Sequence, residues 1–254
     1  MPDTRPTSFS VGIAGHGACI PDTAAAQALD IRDAELDLSL LPAMVRRRTS
    51  EATRIAISAA TRACRDAGST LDMPGVFVSA IGEAATTEKL CQSITQCAFP
   101  LSPTLFHNSV HNTAAGYWSI AAKSMAPMQA MSALNGCVTL GLLEAWTQIV
   151  CGAERVLLVC YDESTPRDWP PGFDWQPSAM ALVLEAASAR HPSLRVPLHA
   201  ERTAGADCLT RFAQHNPIAD ALPLVAHLQR GQPGRYVIAL DPCIEQGRGQ
   251  LEIA

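Results

Sequence analysis

Residues 8–18, SFSVGIAGHGA, alternate between apolar and polar or small positions and end on glycines, which predicts a strand running into a loop. The period changes at Ser50. From there to Ala67 the apolar residues Ala52, Ile55, Ala56, Ala59, Ala60, Ala63, Cys64 and Ala67 recur three and four apart, while Arg54, Arg62 and Arg65 take other faces. This predicts an amphipathic helix, closed by Gly68 where a left-handed cap is favoured. Residues 76–81, VFVSAI, are β-branched and aromatic and stop at Gly82, so a buried strand follows the helix. Residues 108–124 read as a second helix, and residues 128–134, MQAMSAL, as a short strand opened by Pro127. Residues 136–151, GCVTLGLLEAWTQIVC, are apolar on almost every face, which predicts a helix buried inside a large domain and stopped by Gly152. The uninterrupted apolar run RVLLVC at 155–160 predicts a strand in a sheet covered on both faces. Beyond a Pro- and Trp-rich loop at 165–176, strand pattern returns at 179–184. The tail predicts a helix at 218–229, a strand at 235–240 and a short last strand near Leu251. Strand alternating with helix in this order predicts an α/β fold on a largely parallel sheet.

Composition narrows the class. The 254 residues are 48% hydrophobic and 17% charged, as in a chain with a substantial core, and a single domain over 1–254 is expected. A net charge of −5, with no basic run longer than Arg46-Arg47-Arg48, removes the electrostatic basis for nucleic-acid binding. The nine cysteines are scattered and odd in number, and several, such as Cys64, Cys151 and Cys160, sit in apolar runs. That usage fits reduced thiols in a cytoplasm. The opening MPDTRPTSFS holds no apolar stretch of signal-peptide length, and no segment reaches the roughly 18 apolar residues needed to span a bilayer. A soluble, cytoplasmic protein is expected.

Several motifs fail. Gly15 and Gly17 give only the first two glycines of a dinucleotide-binding fingerprint, and the chain has neither a phosphate-binding Walker sequence nor a G-x-S-x-G elbow. His107 and His111 are one helical turn apart, but Asn108 stands where a zinc peptidase would carry its general-base glutamate, and no third ligand is evident. Neither metal nor cofactor is expected.

One arrangement succeeds. MQAMSAL, then NGCVTLGLLEAWTQIVCG, then AERVLLVCYDE resembles the core of the thiolase-like condensing enzymes, especially the β-ketoacyl synthases. In that family an interface strand leads to a small-residue turn with the nucleophilic cysteine, then to a buried helix ending in glycine, then to an apolar strand ending near an acid. The upstream LPAMVRRRTSEATRIAISAATRACRDAG is similar to the family's arginine-led first helix. The resemblance spans roughly residues 8–188 and implies the amino-terminal half of a thiolase-like α/β fold, with helices layered around a mixed, largely parallel sheet. Residues 189–254 would then be a reduced carboxy-terminal extension.

The departures from the family pattern carry the functional expectation. Counting back from Ala145 and Gly152 puts the family's nucleophile position on Asn135, whose amide forms no thioester and can cap the following helix. Cys137, two residues on at a helix N-terminus, is the alternative nucleophile. The family draws two further catalytic residues, commonly His/His or His/Asn, from a second half. The residues after 188 contain only His191, His199, His215 and His227, in polar or helical settings that read as surface. A condensing-enzyme half without its chemistry resembles the chain-length-factor subunits that pair with an active ketosynthase in polyketide and aryl polyene assembly. The resemblance implies a heterodimer with a β-ketoacyl synthase around a growing acyl chain, with an acyl carrier protein as a candidate further partner. The charge of Arg46, Arg47 and Arg48 would suit contact with an acidic carrier protein, but it reads first as a solvated helix start. Met128, Met131 and Leu134 become interface candidates, and Phe106, His107, His111, Tyr117 and Trp118 candidates for lining the acyl tunnel. Two other readings stay open: an active acyltransferase or ketosynthase using Cys137, and a stand-alone module binding an acyl group or carrier protein.

Overall fold

The computed structural model describes residues 8–133, 136–197, 201–202, 216–231, 234–241 and 247–253. Leu134, Asn135, His199 and His215 lie outside the described residues. The chain enters as β1 (Ser8–Cys19) and continues through α1 (Thr23–Ala28), α2 (Ala43–Arg46), α3 (Glu51–Asp66), β2 (Gly75–Val78), α4 (Ala84–Thr95), α5 (Pro103–Asn108) and α6 (Thr113–Ala122). It goes on through β3 (Met128–Met131), α7 (Cys137–Val150), β4 (Arg155–Asp162), β5 (Ser178–Ala186), β6 (Ser193–Pro197) and β7 (Glu201–Arg202). A 3-10 turn (Ala219–Ala221), α8 (Leu222–Arg230), β8 (Gly234–Asp241) and β9 (Gly247–Ile253) complete the described chain.

All the strands join one mixed sheet in the order β3-β2-β4-β5-β1-β6-β9-β7, with β8 paired to β9. Its parallel part is β3-β2-β4, and the remaining pairings are antiparallel, so the parallel character expected of the sheet is confined to the end that carries the site. The connections explain the difference. Helices cross over from β2 to β3 and from β3 to β4, as parallel neighbours require, whereas β4 reaches β5 through a loop with no helix.

Each face of the sheet has its own core. Along β4, Leu157, Val159 and Tyr161 turn to the side covered by α3 and α6, while Val156, Leu158 and Cys160 turn to the side covered by α7 and α8. The alternation follows from the two-residue period of a strand, and its apolar character on both sides from the two layers of helix.

Helix α3 forms where the apolar spacing predicts it. Ser50 caps it by accepting the Thr53 N–H at 3.1 Å, and Gly68 at φ +55° turns the chain away. Its seat on β1 depends on Gly15 and Gly17. A Cβ on either would come within 2.5 Å of an α3 carbonyl oxygen, that of Ala63 or Ala59. The glycine pair that failed as a nucleotide fingerprint is therefore a helix-packing surface.

Two expected elements differ. The helix expected over 108–124 begins later, as α6 at Thr113, and a turn at 109–112 separates it from the short α5 that ends at Asn108. Side-chain hydroxyls compete there for helix carbonyls: Ser109 Oγ donates to Phe106 O at 2.9 Å, and Thr113 Oγ1 to Val110 O at 2.7 Å. Helix α7 is not enclosed all round. A stripe through Cys137, Val138, Gly141, Leu142 and Ala145 packs on the sheet, with Gly141 against Leu158 and Val78, and the opposite face leaves Val150 at 66% exposure. Helix α4 and strand β6 have weak periodic signals; in α4 only Ala84, Thr86 and Leu90 are buried.

Candidate functional site

The carboxyl ends of β2, β3 and β4 meet the start of α7. Beyond β3 the chain passes Ser132 and Ala133, and Gly136 enters α7 at φ +71°. Cys137 is the first residue of that helix. Its Sγ has no exposure and donates to the Ala133 carbonyl at 2.7 Å. Burial pushes this thiol up to about 12, and the neighbouring Asp162 carboxylate pushes the same way. Cys160, beneath it on β4, is raised by burial as well.

Three buried acids follow β2 and β4: Asp162 beside Cys137, and Glu163 and Glu83 beside the starts of α3 and α4. Asp162 Oδ1 accepts from Ser79 Oγ at 2.6 Å and from the Ala80 and Ile81 N–H groups at 2.9 and 3.1 Å, while Oδ2 has no partner among the described residues. Burial outweighs these bonds and lifts its carboxyl to about 7. Glu163 accepts the Ala85 N–H at 2.8 Å and is lifted, again mainly by burial, to about 7. Glu83 accepts from Thr53 Oγ1 at 2.8 Å and is raised by burial. Sequence reasoning marked only an acid after the apolar strand. The available signal was a charge directly following an uninterrupted buried run.

The tunnel candidates separate. His107 and Tyr117 meet edge-on, with ring centroids 6.2 Å apart, and line a groove of about 440 Å³ together with Met44, Val45, Arg48, Pro103, Thr104 and Ile120. The Tyr117 hydroxyl donates to Asn108 Oδ1 at 3.0 Å, and Asn108 Nδ2 donates to the Arg48 carbonyl at 2.6 Å. Phe106 is exposed on α5. His111 lies in the turn between α5 and α6, its Nε2 2.8 Å from the Met131 carbonyl. Trp118 is fully buried in the core shared with α3. Of the interface candidates, Met128 and Met131 occupy the two ends of β3 and are half-buried. Arg46 is engaged locally, donating to the carbonyls of Leu38 and Leu41. His191 is half-buried, 3.7 Å from Glu185, rather than free on the surface.

His107 and His111 sit on separate elements, and among the described residues no group of three His, Cys, Asp or Glu could hold a metal ion. None of the described helices is long and apolar enough to cross a membrane.

The described residues form a mixed sheet between helical layers, with α7 beginning close after its edge strand β3, an arrangement in keeping with the condensing-enzyme fold. The profile of the β-ketoacyl synthase N-terminal domain family matches residues 22–236, past the point where the resemblance in sequence faded. The chain belongs to that family. Its fold is similar to that in a structure of the ketosynthase ApeO in complex with its chain length factor ApeC from Xenorhabdus doucetiae, with a TM-score of 0.68, 24% identity, and coverage of 97% of this chain and 99% of that one. It is also similar to the ishigamide ketosynthase/chain length factor, with a TM-score of 0.63 and 16% identity over 96% and 99% of the two chains. The complex of the type II polyketide acyl-carrier protein AntF with its ketosynthase AntDE gives 0.65 and 14% over 97% and 99%. These likenesses establish the thiolase-like fold. No curated protein sequence matches.

Proposed function

We propose that this chain is a non-catalytic, chain-length-factor-like partner of a β-ketoacyl synthase, shaping the acyl tunnel at a heterodimer interface in polyketide, aryl polyene or fatty-acid-type elongation. The observation that carries the reading is the free edge of β3. Among the described residues this strand pairs with β2 on one side only. The segment from α4 to the start of β3 leaves Ile94, Phe99, Phe106, Val110, Ile120 and Met125 exposed. An unpaired edge beside an apolar surface is a template for another chain. The likeness to ketosynthase and chain-length-factor complexes supports a ketosynthase as that chain. The non-catalytic role is supported by Asn135 at the expected nucleophile position and by the burial of the alternative thiol, Cys137.

In this reading Met128, Met131 and Leu134 face the partner, His107 and Tyr117 border the acyl chain, and the carrier protein is delivered to the assembled pair. Co-expression with a ketosynthase of the same system, followed by purification through a tag on one chain and sizing, tests it. A 1:1 heterodimer is expected. A stable lone chain that takes up acyl groups from a reactive thioester on Cys137 would make it an enzyme and end the proposal.

A further inference from the structure

The edge strand is short and held from one side, so something besides its ladder must fix its carboxyl end, and the side chains there show what does. The Met131 carbonyl accepts the Ser79 N–H at 3.2 Å and also faces His111 Nε2 at 2.8 Å. A carbonyl only accepts, so Nε2 carries the proton in this contact. The other side of the imidazole rests on Gly82. With φ at +58°, Gly82 leaves room where a Cβ would lie 2.7 Å from His111 Nδ1. One residue on, Ser132 Oγ donates to the Ala80 carbonyl at 3.3 Å.

The loop that receives these contacts is itself anchored. Asp162 accepts from Ser79 Oγ and from the Ala80 and Ile81 N–H groups, and Ser79 Oγ in turn accepts the Gly82 N–H at 2.7 Å. His111 thus joins the turn between α5 and α6 to the end of β3 and to a loop fixed by a buried carboxylate. The turn at 109–112, where a helix was expected, is what presents the imidazole to Met131.

We propose that His111 is a positioning residue for assembly: it clasps the carboxyl end of β3 so that the free edge is already set for a partner strand. By ladder alternation, with Pro127 O and Met131 O turned to β2, the N–H and C=O groups of Met128 and Ala130 point away from the sheet. Fixing Met131 fixes the direction in which they point. A preset edge spares the partner the ordering cost at association, and its loss appears as weaker binding. The inference rests on the functional reading above.

The test measures the affinity of the full-length chain for its ketosynthase by titration, alongside the melting temperature of the chain alone. His111→Ala is expected to weaken binding by about tenfold or more, and His111→Gln, whose amide can donate to the same carbonyl, to recover most of it. Val196→Ala, a buried truncation on β6, serves as a destabilised control and is expected to leave affinity within about twofold of the wild type. Should His111→Ala fail to fold, Ser132→Ala decides, since it removes an exposed tie of the same clasp and is expected to weaken binding by about threefold. Wild-type affinity in His111→Ala, or in Ser132→Ala when that variant decides, overturns the inference alone, as does an equal loss in His111→Ala and Val196→Ala. Failure of the wild-type chain to bind any ketosynthase of its system overturns the functional reading and the clasp with it.

Discussion

Cys137 shows how burial decides the chemistry of a single side chain. A thiol raised to about 12 keeps only about one molecule in ten thousand as thiolate at pH 8, and this one is also hydrogen-bonded and closed to solvent. Alkylation of the native chain with iodoacetamide, read by peptide mass spectrometry, is expected to modify the exposed Cys91, Cys97 and Cys151 and to leave Cys137, Cys160 and Cys64 intact. Rapid labelling of Cys137 would reopen the enzyme reading. The buried acids give a second expectation. Asp162 and Glu163 are raised to about 7, and unfolded carboxyls titrate near 4, so between about pH 4 and 7 the folded chain holds more protons than the unfolded one. Their contribution therefore makes stability fall as pH rises through that window and level off above it. Asp162→Asn, which cannot ionise, is expected to make the dependence of melting temperature on pH between 5 and 8 shallower than in the wild type; an unchanged slope would count against a buried charge at this site.

Elements in this chain are seated by contacts as much as by propensity. Helix α3 reaches β1 because Gly15 and Gly17 carry no Cβ, and Gly17→Ala would force the two backbones apart. A loss of about 1–3 kcal/mol in unfolding free energy is expected from urea denaturation. Strand β3 offers a different kind of test. Ala130→Pro removes an outward N–H, which an edge strand tolerates and a paired strand does not. The variant is expected to fold alone with an unchanged far-ultraviolet circular dichroism spectrum and to lose co-purification with a ketosynthase. Retained complex formation would place the interface elsewhere.

At the scale of the molecule, the sheet is closed over by helices on both faces, while the β3 end is left open beside exposed apolar side chains. Such a surface costs solubility when uncovered. Ile120→Glu, at a position 61% exposed on α6, is expected to raise the soluble yield of the lone chain and to weaken partner binding by about tenfold. A solubility gain without loss of binding would remove α6 from the interface. The polar cleft of about 800 Å³ between β1, α3 and α8 stands apart from the site, and its charges are mostly engaged with one another, as in Arg62 with Glu35, Arg65 with Asp37 and His16 with Asp66.

The periods along the chain were enough to recover β1, α3, β2, α7, β4 and β5, because each element buries a regular stripe and a stripe is a local property that sequence records directly. The expectation that Asn135 stands at the nucleophile position likewise comes from the sequence alone. Strand direction was not legible, since whether β5 runs with or against β4 depends on the path of a loop whose Pro- and Trp-rich composition fits either. Nor was the turn at 109–112, where hydroxyl-to-carbonyl bonds outweighed a run that otherwise suits a helix. The seal on Cys137, the lifted carboxyls of Asp162 and Glu163 and the contact of His111 with Met131 all belong to the tertiary structure. Burial and hydrogen bonding are set by residues distant in the chain, and only the packed sheet brings Ser79, Cys137 and Asp162 to one place.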